Sequence, residues 1–579
     1  MLNECQLLLL LQLTESLFVV TVVLILSFTF WIPTSIQLLA QQPSPQNFVT
    51  YEKRSNFIKE FKVPINERGL KGIVTDNEQN VWFYHATTNN SKIMKMSKEG
   101  HNFTNYSVPG NTVADRAVIN LAGGQLLFDN SSNSIWFTDA RINSLGKLDI
   151  KTSKIELFSI PTNNSGIMGL VLSPDRKLVW FTEITGNKLG SLDIESKKIT
   201  EYGTGENSGP TLLTFDSKGV LWVTLSYANS VLRVEPWLLI PGSKSIGMYS
   251  ISLERPDFFS PFGVATTQVK GIEKIFLSDH GSSRVIVSNI SSDLKNYTSY
   301  WTSPSRALPM SLPSQVVSDK AGNVFFVEHG GNKISKISTD IGMMTEFDIP
   351  TGPLATSIFL TVSENGKRVW FTEWESNKIA YLDNTVQIPL TIAVRNNEST
   401  ATGPDMKPII LKQHDSHSVD IKLTVNNNVS SLVLPNATEI SVVGMTDAGL
   451  KGIVYSSKPE RVNLTAVPEA NVNIDLNVES EEAVSGNYTT MIRASFLEKD
   501  GLMISLLYPQ LIKLDVPNKS PQANKTENFQ DFLSENPRSE PSGLPFINLI
   551  RAGAIAIVIL LVGYLLYRRV NKKIRFKKA

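Results

Sequence analysis

Cysteine is almost absent from this chain of 579 residues, because Cys5 is the only one. Everything beyond the N-terminal segment therefore lacks a thiol and can form no disulfide, so its stability has to come from packing. Histidine is scarce too, with 6 residues, and few side chains can therefore transfer protons near neutral pH at their ordinary pKa.

Excess charge of either sign is also lacking, since 55 Lys and Arg balance 54 Asp and Glu. Residues 50–385 contain no basic stripe, which argues against nucleic acid as a partner. The chain has no Gly-rich phosphate-binding loop and no Gly-x-Ser-x-Gly motif. These absences exclude the commonest nucleotide-dependent and serine-hydrolase designs.

What the chain does contain is one phrase repeated seven times, an aromatic pair that ends in a polar residue and a short turn. Most copies are followed by Asn-Lys-Ile or a close variant, and successive copies begin 42 to 54 residues apart. The copies are Trp82-Phe83-Tyr84-His85, Trp136-Phe137-Thr138-Asp139, Trp180-Phe181-Thr182-Glu183, Trp222-Val223-Thr224-Leu225, Phe276-Leu277-Ser278-Asp279, Phe325-Phe326-Val327-Glu328 and Trp370-Phe371-Thr372-Glu373.

This period is the length of one four-stranded propeller blade, and single blades cannot bury both faces of their sheet. The sequence therefore predicts an all-β fold with a seven-bladed β-propeller over residues 50–385. The last repeat lacks its outer strand, whereas a matching strand, residues 58–64, precedes the first repeat. We expect this N-terminal strand to complete the seventh blade and close the ring.

The pattern of apolar and polar residues changes after the repeats. Residues 386–516 contain alternating strands, such as residues 419–425 and 472–478, which predict an immunoglobulin-like β-sandwich acting as a spacer. Residues 517–545 are rich in Asn, Ser, Pro, Glu and Lys, a composition typical of a disordered stalk.

Two segments are apolar enough to suggest a membrane. Residues 546–567 would form a helix about 33 Å long, sufficient to cross the hydrocarbon core, so they predict a C-terminal transmembrane helix. Seven Lys or Arg follow within residues 568–579, which predicts a basic cytoplasmic tail. Residues 1–41 fit either a signal peptide or an N-terminal membrane anchor. We therefore expect a single-pass or double-anchored protein of the cell membrane, with its bulk extracytoplasmic.

Fourteen Asn-x-Ser/Thr sequons agree with export. Among them Asn102, Asn296, Asn436 and Asn487 are predicted glycosylation sites. Richness in Asn and Ser alone accounts for part of this number.

The fourth residue of the phrase carries the candidate chemistry. Equivalent positions lie on one circle in a propeller, so the carboxylates there could face a shared volume and hold Mg²⁺ or Ca²⁺. Glu328 and Glu373 are the predicted metal ligands. The alternative is that each carboxylate serves its own blade by accepting hydrogen bonds. His280 and His329, which directly follow two of these positions, are the candidate catalytic bases.

The motif Trp-Phe-Thr-Glu-x-x-x-Asn-Lys-Ile/Leu, best seen at residues 180–190 and 370–379, resembles the repeats of the streptogramin B (virginiamycin B) lyase family. The resemblance implies a seven-bladed propeller that opens a cyclic depsipeptide by elimination with Mg²⁺ near the channel mouth. It also implies a metal-holding role for Glu373. The family's catalytic His at a blade start has no counterpart, since Ile358 stands near that position.

These observations lead to a membrane-anchored propeller that binds a peptide, glycan or envelope ligand at its channel mouth. The alternative is a metal-dependent lyase of the streptogramin B lyase type or a related hydrolase, using Glu328, Glu373 and His280 or His329. A scaffold that only ties the envelope to the membrane is a third hypothesis.

Overall fold

A computed structural model gives the architecture of residues 51–516. It does not describe residues 88, 241–246, 254–259, 291–293, 295–296, 306–307, 309, 397–407, 426–437, 444–452, 465–468, 479–484 and 499 within this range. The predicted segments 1–41, 517–545, 546–567 and 568–579 lie outside the described residues, as do the sequons Asn296 and Asn436. Within the described part, no helix has both the length and the apolar character that a membrane crossing needs.

The described residues form an all-β fold dominated by four-stranded antiparallel sheets, as in a β-propeller. Two strands, β1 (Tyr51–Glu52) and β2 (Ile58–Lys62), precede them. The first three sheets contain β3 (Leu70–Thr75), β4 (Val81–Ala86), β5 (Ser91–Met96), β6 (Phe103–Ser107); β7 (Leu126–Asp129), β8 (Ser134–Asp139), β9 (Ser144–Asp149), β10 (Ile155–Ser159); β11 (Ile167–Leu172), β12 (Leu178–Glu183), β13 (Lys188–Asp193), β14 (Ile199–Gly203).

Four further sheets follow the same order along the chain. They contain β15 (Pro210–Phe215), β16 (Leu221–Leu225), β17 (Ser230–Val234), β18 (Met248–Ser252); β19 (Pro261–Val269), β20 (Ile272–Asp279), β21 (Arg284–Asn289), β22 (Tyr297–Trp301); β23 (Pro313–Ser318), β24 (Val324–Glu328), β25 (Lys333–Ser338), β26 (Met343–Asp348); β28 (Leu360–Val362), β29 (Arg368–Glu373), β30 (Lys378–Asp383). Strand β27 (Thr351–Gly352) pairs with β1. A short helix α1 (Arg116–Leu121) and a 3-10 helix (Pro236–Leu238) interrupt the strands.

The repeated phrase occupies the second strand of every sheet, and its residues are buried. Trp82 packs with Ile135 and Phe137 of the next sheet, and Trp136 packs with Phe181 of the sheet after that. Large aromatic side chains therefore fill the space between neighbouring sheets.

Backbone geometry explains the Asn and Gly that follow the phrase. Asn187, Asn332 and Asn377 have φ values of 52°, 54° and 55°. This left-handed region suits Asn better than most residues, and it lets a tight turn reverse the chain into the third strand. At Gly190 a Cβ atom would lie 2.1 Å from the ring of Phe181, so a side chain there would displace the buried aromatic ring.

The N-terminal strand completes the last sheet. Strand β2 pairs with β30 from Ile58 opposite Leu382 to Lys62 opposite Lys378, giving the seventh sheet its fourth strand. The innermost strands of successive sheets contact one another, and β28 of the seventh sheet contacts β3 of the first. The prediction that the N-terminal strand completes the last repeat is therefore confirmed.

The remaining strands form two sheets, and one of them continues the sixth propeller sheet. They are β31 (Leu390–Asn396), β32 (Ile409–Lys412), β33 (Ser416–Val425), β34 (Thr438–Val443), β35 (Ile453–Lys458), β36 (Arg461–Val462), β37 (Glu469–Val478), β38 (Gly486–Leu497) and β39 (Met503–Asp515). Strand β39 pairs with β26, so β38, β34 and β36 extend the sixth sheet, whereas β31, β33, β37 and β35 form the other.

Both sheets contribute to one apolar core, in which Val419, Ile474, Ile492 and Leu506 are buried. Side-chain bonds add to the junction with the propeller, since Trp301 Nε1 donates to the Thr489 carbonyl at 2.9 Å. The sequence analysis treated residues 386–516 as a separate spacer and did not foresee this continuous sheet. Their assignment as an immunoglobulin-like sandwich stays a prediction.

Candidate functional site

The fourth residue of the phrase points into its own sheet rather than into a common central volume. In the third, sixth and seventh sheets this residue is a fully buried Glu, directly opposite a Lys at the start of the next strand. The outermost strand supplies a second Glu in these three sheets. We call each set a Glu-Lys-Glu triad: Glu183, Lys188 and Glu201; Glu328, Lys333 and Glu346; Glu373, Lys378 and Glu60.

The triad of the third sheet shows the arrangement. Lys188 Nζ donates to Glu201 Oε2 at 2.7 Å and to Thr162 Oγ1 at 2.6 Å. The other oxygen of Glu201, Oε1, accepts the Thr162 backbone N–H at 3.0 Å. Because Thr162 belongs to the segment arriving from the second sheet, the triad fixes that segment against the third sheet.

In the seventh sheet the same contacts lock the N-terminal strand into the ring. Glu60 comes from β2, and its Oε2 accepts a bond from Lys378 Nζ at 2.8 Å. Its Oε1 accepts both the backbone N–H and the Oγ1–H of Thr351 at 2.9 Å. Only 9% of the Lys378 side chain and 11% of the Glu60 side chain are exposed, so this ion pair is shielded from water.

Burial changes the protonation of the inner carboxyl group of each triad. It raises the pKa of Glu183 to about 8, and the nearby Glu201 raises it further against the effect of Lys188. Burial likewise raises the pKa of Glu328 and of Glu373 well above the usual range, assisted by Glu346 and Glu60 respectively. Burial therefore favours the neutral form of the inner glutamate in each triad.

A proton also accounts for otherwise orphaned oxygens. Within the described residues, both carboxyl oxygens of Glu183, Oε2 of Glu328 and Oε1 of Glu373 have no donor partner. A buried polar atom without a partner is costly, but a protonated carboxyl group becomes a donor itself. In the third and seventh sheets the second carboxylate is close enough to accept that bond.

These surroundings bear on the predicted metal ligands Glu328 and Glu373. The remaining oxygens are already bonded, with Ser335 Oγ donating to Glu328 Oε1 at 2.5 Å and Ser376 Oγ donating to Glu373 Oε2 at 2.6 Å. The described residues contain no group of three or more His, Cys, Asp or Glu arranged to hold a metal ion. The ammonium groups of Lys333 and Lys378, opposite these two glutamates, would compete with a bound Mg²⁺ because like charges repel.

The other sheets satisfy the same position by different means. Asp139 Oδ1 accepts the Arg141 backbone N–H at 2.9 Å, and Asp279 Oδ2 lies 3.3 Å from Arg284 Nε. His85 Nε2 lies 3.1 Å from the Glu67 carbonyl. Asp139 and Asp279 therefore each lie beside an Arg of their own sheet.

The residue directly after the phrase faces the propeller surface. In the fifth and sixth sheets this residue is His280 and His329, and their side chains lie side by side. Both are half-buried, and their ring centroids lie 4.8 Å apart. His280 also stacks on Phe262 with centroids 5.4 Å apart. Its Nδ1 lies 3.1 Å from the Pro313 carbonyl, so Nδ1 carries the hydrogen and Nε2 is left as an acceptor. We call His280 and His329 the His pair, and the ring of Phe262 supports it.

Both imidazoles are neutral at physiological pH. Burial lowers the pKa of His329 to about 3, with a further contribution from His280, and burial lowers the pKa of His280 too. His329 Nδ1 is buried and has no hydrogen-bond partner within the described part of the chain. It is therefore an unsatisfied polar atom at the surface where the sequence placed a functional group.

Apolar residues fill the centre of this face. Residues near the beginnings of the inner strands pack against residues that follow the phrase. We call this buried group the mouth cluster: Ala122, Ala140, Met168, Ile184, Leu212 and Phe359. Val118, Phe262 and Ile358 pack against it. Ile358, near the position of the family's catalytic His, is thus part of an apolar surface.

Helix α1 belongs to this face and is fixed by a buried lysine that the sequence analysis missed. Lys71 Nζ donates to the Ile119 carbonyl at 2.9 Å and to the Ala122 carbonyl at 2.5 Å, and lies 5.4 Å from the Trp374 ring centre. Burial lowers the pKa of Lys71 to about 8. The only sequence signal was the long connection between β6 and β7, which is unlike the short one between β10 and β11.

The second glutamate of each triad was missed as well, although its signal was present. Glu60, Glu201 and Glu346 each precede an aromatic residue near the end of an outer strand. Among the described sheets, this second glutamate occurs in those whose phrase ends in Glu and is followed by Asn-Lys. The predicted glycosylation sites Asn102 and Asn487 have exposed side chains.

Residues 56–241 match the virginiamycin B lyase family, which confirms the predicted resemblance for this part of the chain. A solved streptogramin B lyase is similar, with 23% identity, a TM-score of 0.47, and coverage of 56% of this chain and 97% of that chain. Virginiamycin B lyase from Staphylococcus aureus has 21% identity, a TM-score of 0.47, and coverage of 56% and 98%. A catalytically inactive variant of that lyase, solved with quinupristin, has 21% identity, a TM-score of 0.46, and coverage of 56% and 98%. No curated protein matches the chain.

Proposed function

We propose that this protein is a membrane-anchored, extracytoplasmic propeller that binds a peptide, glycan or envelope ligand at the face carrying His280 and His329. The proposal includes seven blades, an immunoglobulin-like sandwich and a transmembrane helix at residues 546–567. The observation that carries it is the unpartnered Nδ1 of His329 beside a second imidazole and the half-buried ring of Phe262.

The state of the His pair favours binding over proton abstraction. A general base works best when its pKa lies near the operating pH, whereas the pKa of His329 is lowered to about 3. A neutral imidazole with a free nitrogen is instead a hydrogen-bonding group for a ligand. Val118, Phe262 and Ile358, which pack against the buried mouth cluster, are half-buried and offer apolar area. A few polar groups beside apolar side chains are typical of ligand sites.

The alternative is a metal-dependent lyase that uses Glu328 and Glu373 as ligands of Mg²⁺ or Ca²⁺ and His280 or His329 as base. The family match of residues 56–241 supports it. The shared protons of the triads weigh against it, because a protonated carboxyl group must lose its proton before it can bind a cation.

The test is to measure binding of a cyclic streptogramin B depsipeptide, a linear peptide library and a glycan library to the full chain in detergent with Mg²⁺. Bound depsipeptide is then analysed by mass spectrometry. We expect one ligand class to bind unchanged in mass and to bind about tenfold more weakly to His329→Ala, the loss expected for one hydrogen bond in a dry site.

His101→Ala is the matched control, because His101 is exposed in the turn between β5 and β6. Equal weakening by both His substitutions would contradict the proposed site. Ring opening of the depsipeptide that requires Glu373 would replace the binding proposal by the lyase.

A further inference from the structure

A cavity of about 330 Å³ lies where inner strands of the seventh, first and second sheets end. Val74 near the end of β3, Phe128 in β7 and Thr361 in β28 are among its walls. Lys71 stands near the beginning of β3, so this cavity and the Lys71 anchor lie toward opposite ends of the same strand. The cavity is therefore distinct from the His pair, and its volume falls in the range of about 300–1,000 Å³ typical of small-ligand sites.

Turns between the first and second strands provide the polar part of the lining. Asn130, Arg176 and Glu364 each come from such a turn, in the second, third and seventh sheets. Arg176 NH1 bonds Asp129 Oδ1 at 2.6 Å, and its side chain is 46% exposed. Since a guanidinium group has five N–H donors, donors remain for a ligand.

This mixture of groups discriminates between ligand classes. A free anion would meet the carboxylates of Asp76 and Glu364, and a cation would meet Arg176. A wholly apolar molecule would bury the amide of Asn130 and the remaining donors of Arg176 without giving them a partner, which is unfavourable. A neutral molecule with many hydroxyl groups can satisfy donors and acceptors together.

Phe128 supplies the remaining element. Phe128, in β7, and Asn130, in the turn that follows β7, both line the cavity. A half-buried ring offers its face to the apolar C–H side of a sugar, while planar amide, carboxylate and guanidinium groups pair with hydroxyls at the sugar's edge.

We propose that this cavity is a saccharide site, sized for one or two sugar rings. Two sources of the sugar share this chemistry. One is a glycan attached to Asn130, which heads an Asn-Ser-Ser sequon and has an exposed side chain. The other is a separate glycan of the cell envelope. The site does not depend on the proposed role of the His pair.

The test uses the full chain produced in a glycosylating host, with and without Asn130→Gln. Binding of N,N′-diacetylchitobiose and of cellobiose is measured by saturation-transfer NMR and calorimetry. In the Asn130→Gln background, Phe128→Ala and Arg176→Gln should each weaken binding about tenfold, the effect of losing a stacking ring or a charged hydrogen bond.

Lys218→Gln is the matched control, because Lys218 occupies the same turn of the fourth sheet, is exposed, and does not line the cavity. Binding only after Asn130→Gln identifies the chain's own glycan as the occupant, whereas binding in both forms identifies a separate glycan.

No binding of either disaccharide to either form overturns the proposal, as does equal binding by the Phe128→Ala and Arg176→Gln variants with unchanged unfolding midpoints. His329→Ala should leave disaccharide binding unaltered. The His329→Ala result thereby distinguishes an error in the saccharide proposal from an error in the proposed role of the His pair.

Discussion

Replacing Glu60 by Ala tests whether a charged triad holds the propeller ring closed. The substitution removes the carboxylate that joins β2 to Lys378 and to both donors of Thr351. It leaves β2 a second attachment, since Glu498 still accepts the Asn56 backbone N–H at 2.7 Å. The variant should therefore fold, with β2 as its weak element.

The expected magnitude follows from the burial of the pair. Removing one partner of a buried ion pair costs about 3–5 kcal/mol, because the other charge stays buried without compensation. Lys378 would keep its bond to Thr351 Oγ1 at 2.8 Å but lose the carboxylate of Glu60. Since about 1.4 kcal/mol corresponds to a factor of ten, amide exchange in β2 should become about 100- to 4,000-fold faster.

Hydrogen exchange with mass spectrometry, read on peptides covering residues 58–62, measures this loss directly. Glu201→Ala is the matched control, because Glu201 makes the equivalent bonds to Lys188 and Thr162 inside the third sheet. It should accelerate exchange around β14 and leave β2 unchanged. Unchanged exchange in β2 after Glu60→Ala would refute the idea that the triad closes the ring.

Further predictions concern charge at the other buried groups. The pKa of Glu183 is raised from 4.5 to about 8, so the folded state binds a proton that the unfolded state has lost. This stabilisation is complete below pH 4.5 and disappears as pH rises to about 8, by up to about 1.4 kcal/mol per pH unit, and Glu183→Gln should flatten the decline measured by chemical unfolding. Lys71→Met should accelerate amide exchange in α1 by removing both Nζ bonds, and equal exchange would contradict the anchor. Ligand affinity at the His pair should show no midpoint near 6.5, because burial lowers the pKa of His329 to about 3 and lowers the pKa of His280 below its ordinary value. Such a midpoint in a calorimetric titration would contradict this.

The sequence predicted the features that repeat, because each copy of the phrase obeys the same physical constraint and so shows the same pattern. Seven aromatic phrases indicated stacked sheets, and the missing outer strand of the last repeat indicated that residues 58–64 return to complete it. Both inferences depend on local patterns that any copy of the phrase shows.

Features that need two distant segments were not predicted. Glu60 and Glu373 are separated by most of the propeller, so their shared proton becomes visible only when β2 and β30 are paired. The same holds for β39 against β26 and for Lys71 under α1, since nothing near these residues marks the partner. The His pair was predicted residue by residue, but its neutral state depends on burial that the sequence does not contain.

The most direct test of the account is thermal unfolding of the full chain with and without Mg²⁺, Mn²⁺ and Ca²⁺, beside Glu373→Gln. Gln resembles the protonated carboxyl group, so we expect a small change in midpoint and no stabilisation by any ion that depends on Glu373. A bound cation at 100 times its Kd would add about 2.7 kcal/mol to the free energy of unfolding. A shift of that size, lost in Glu373→Gln, would contradict the shared proton and support the metal-dependent lyase.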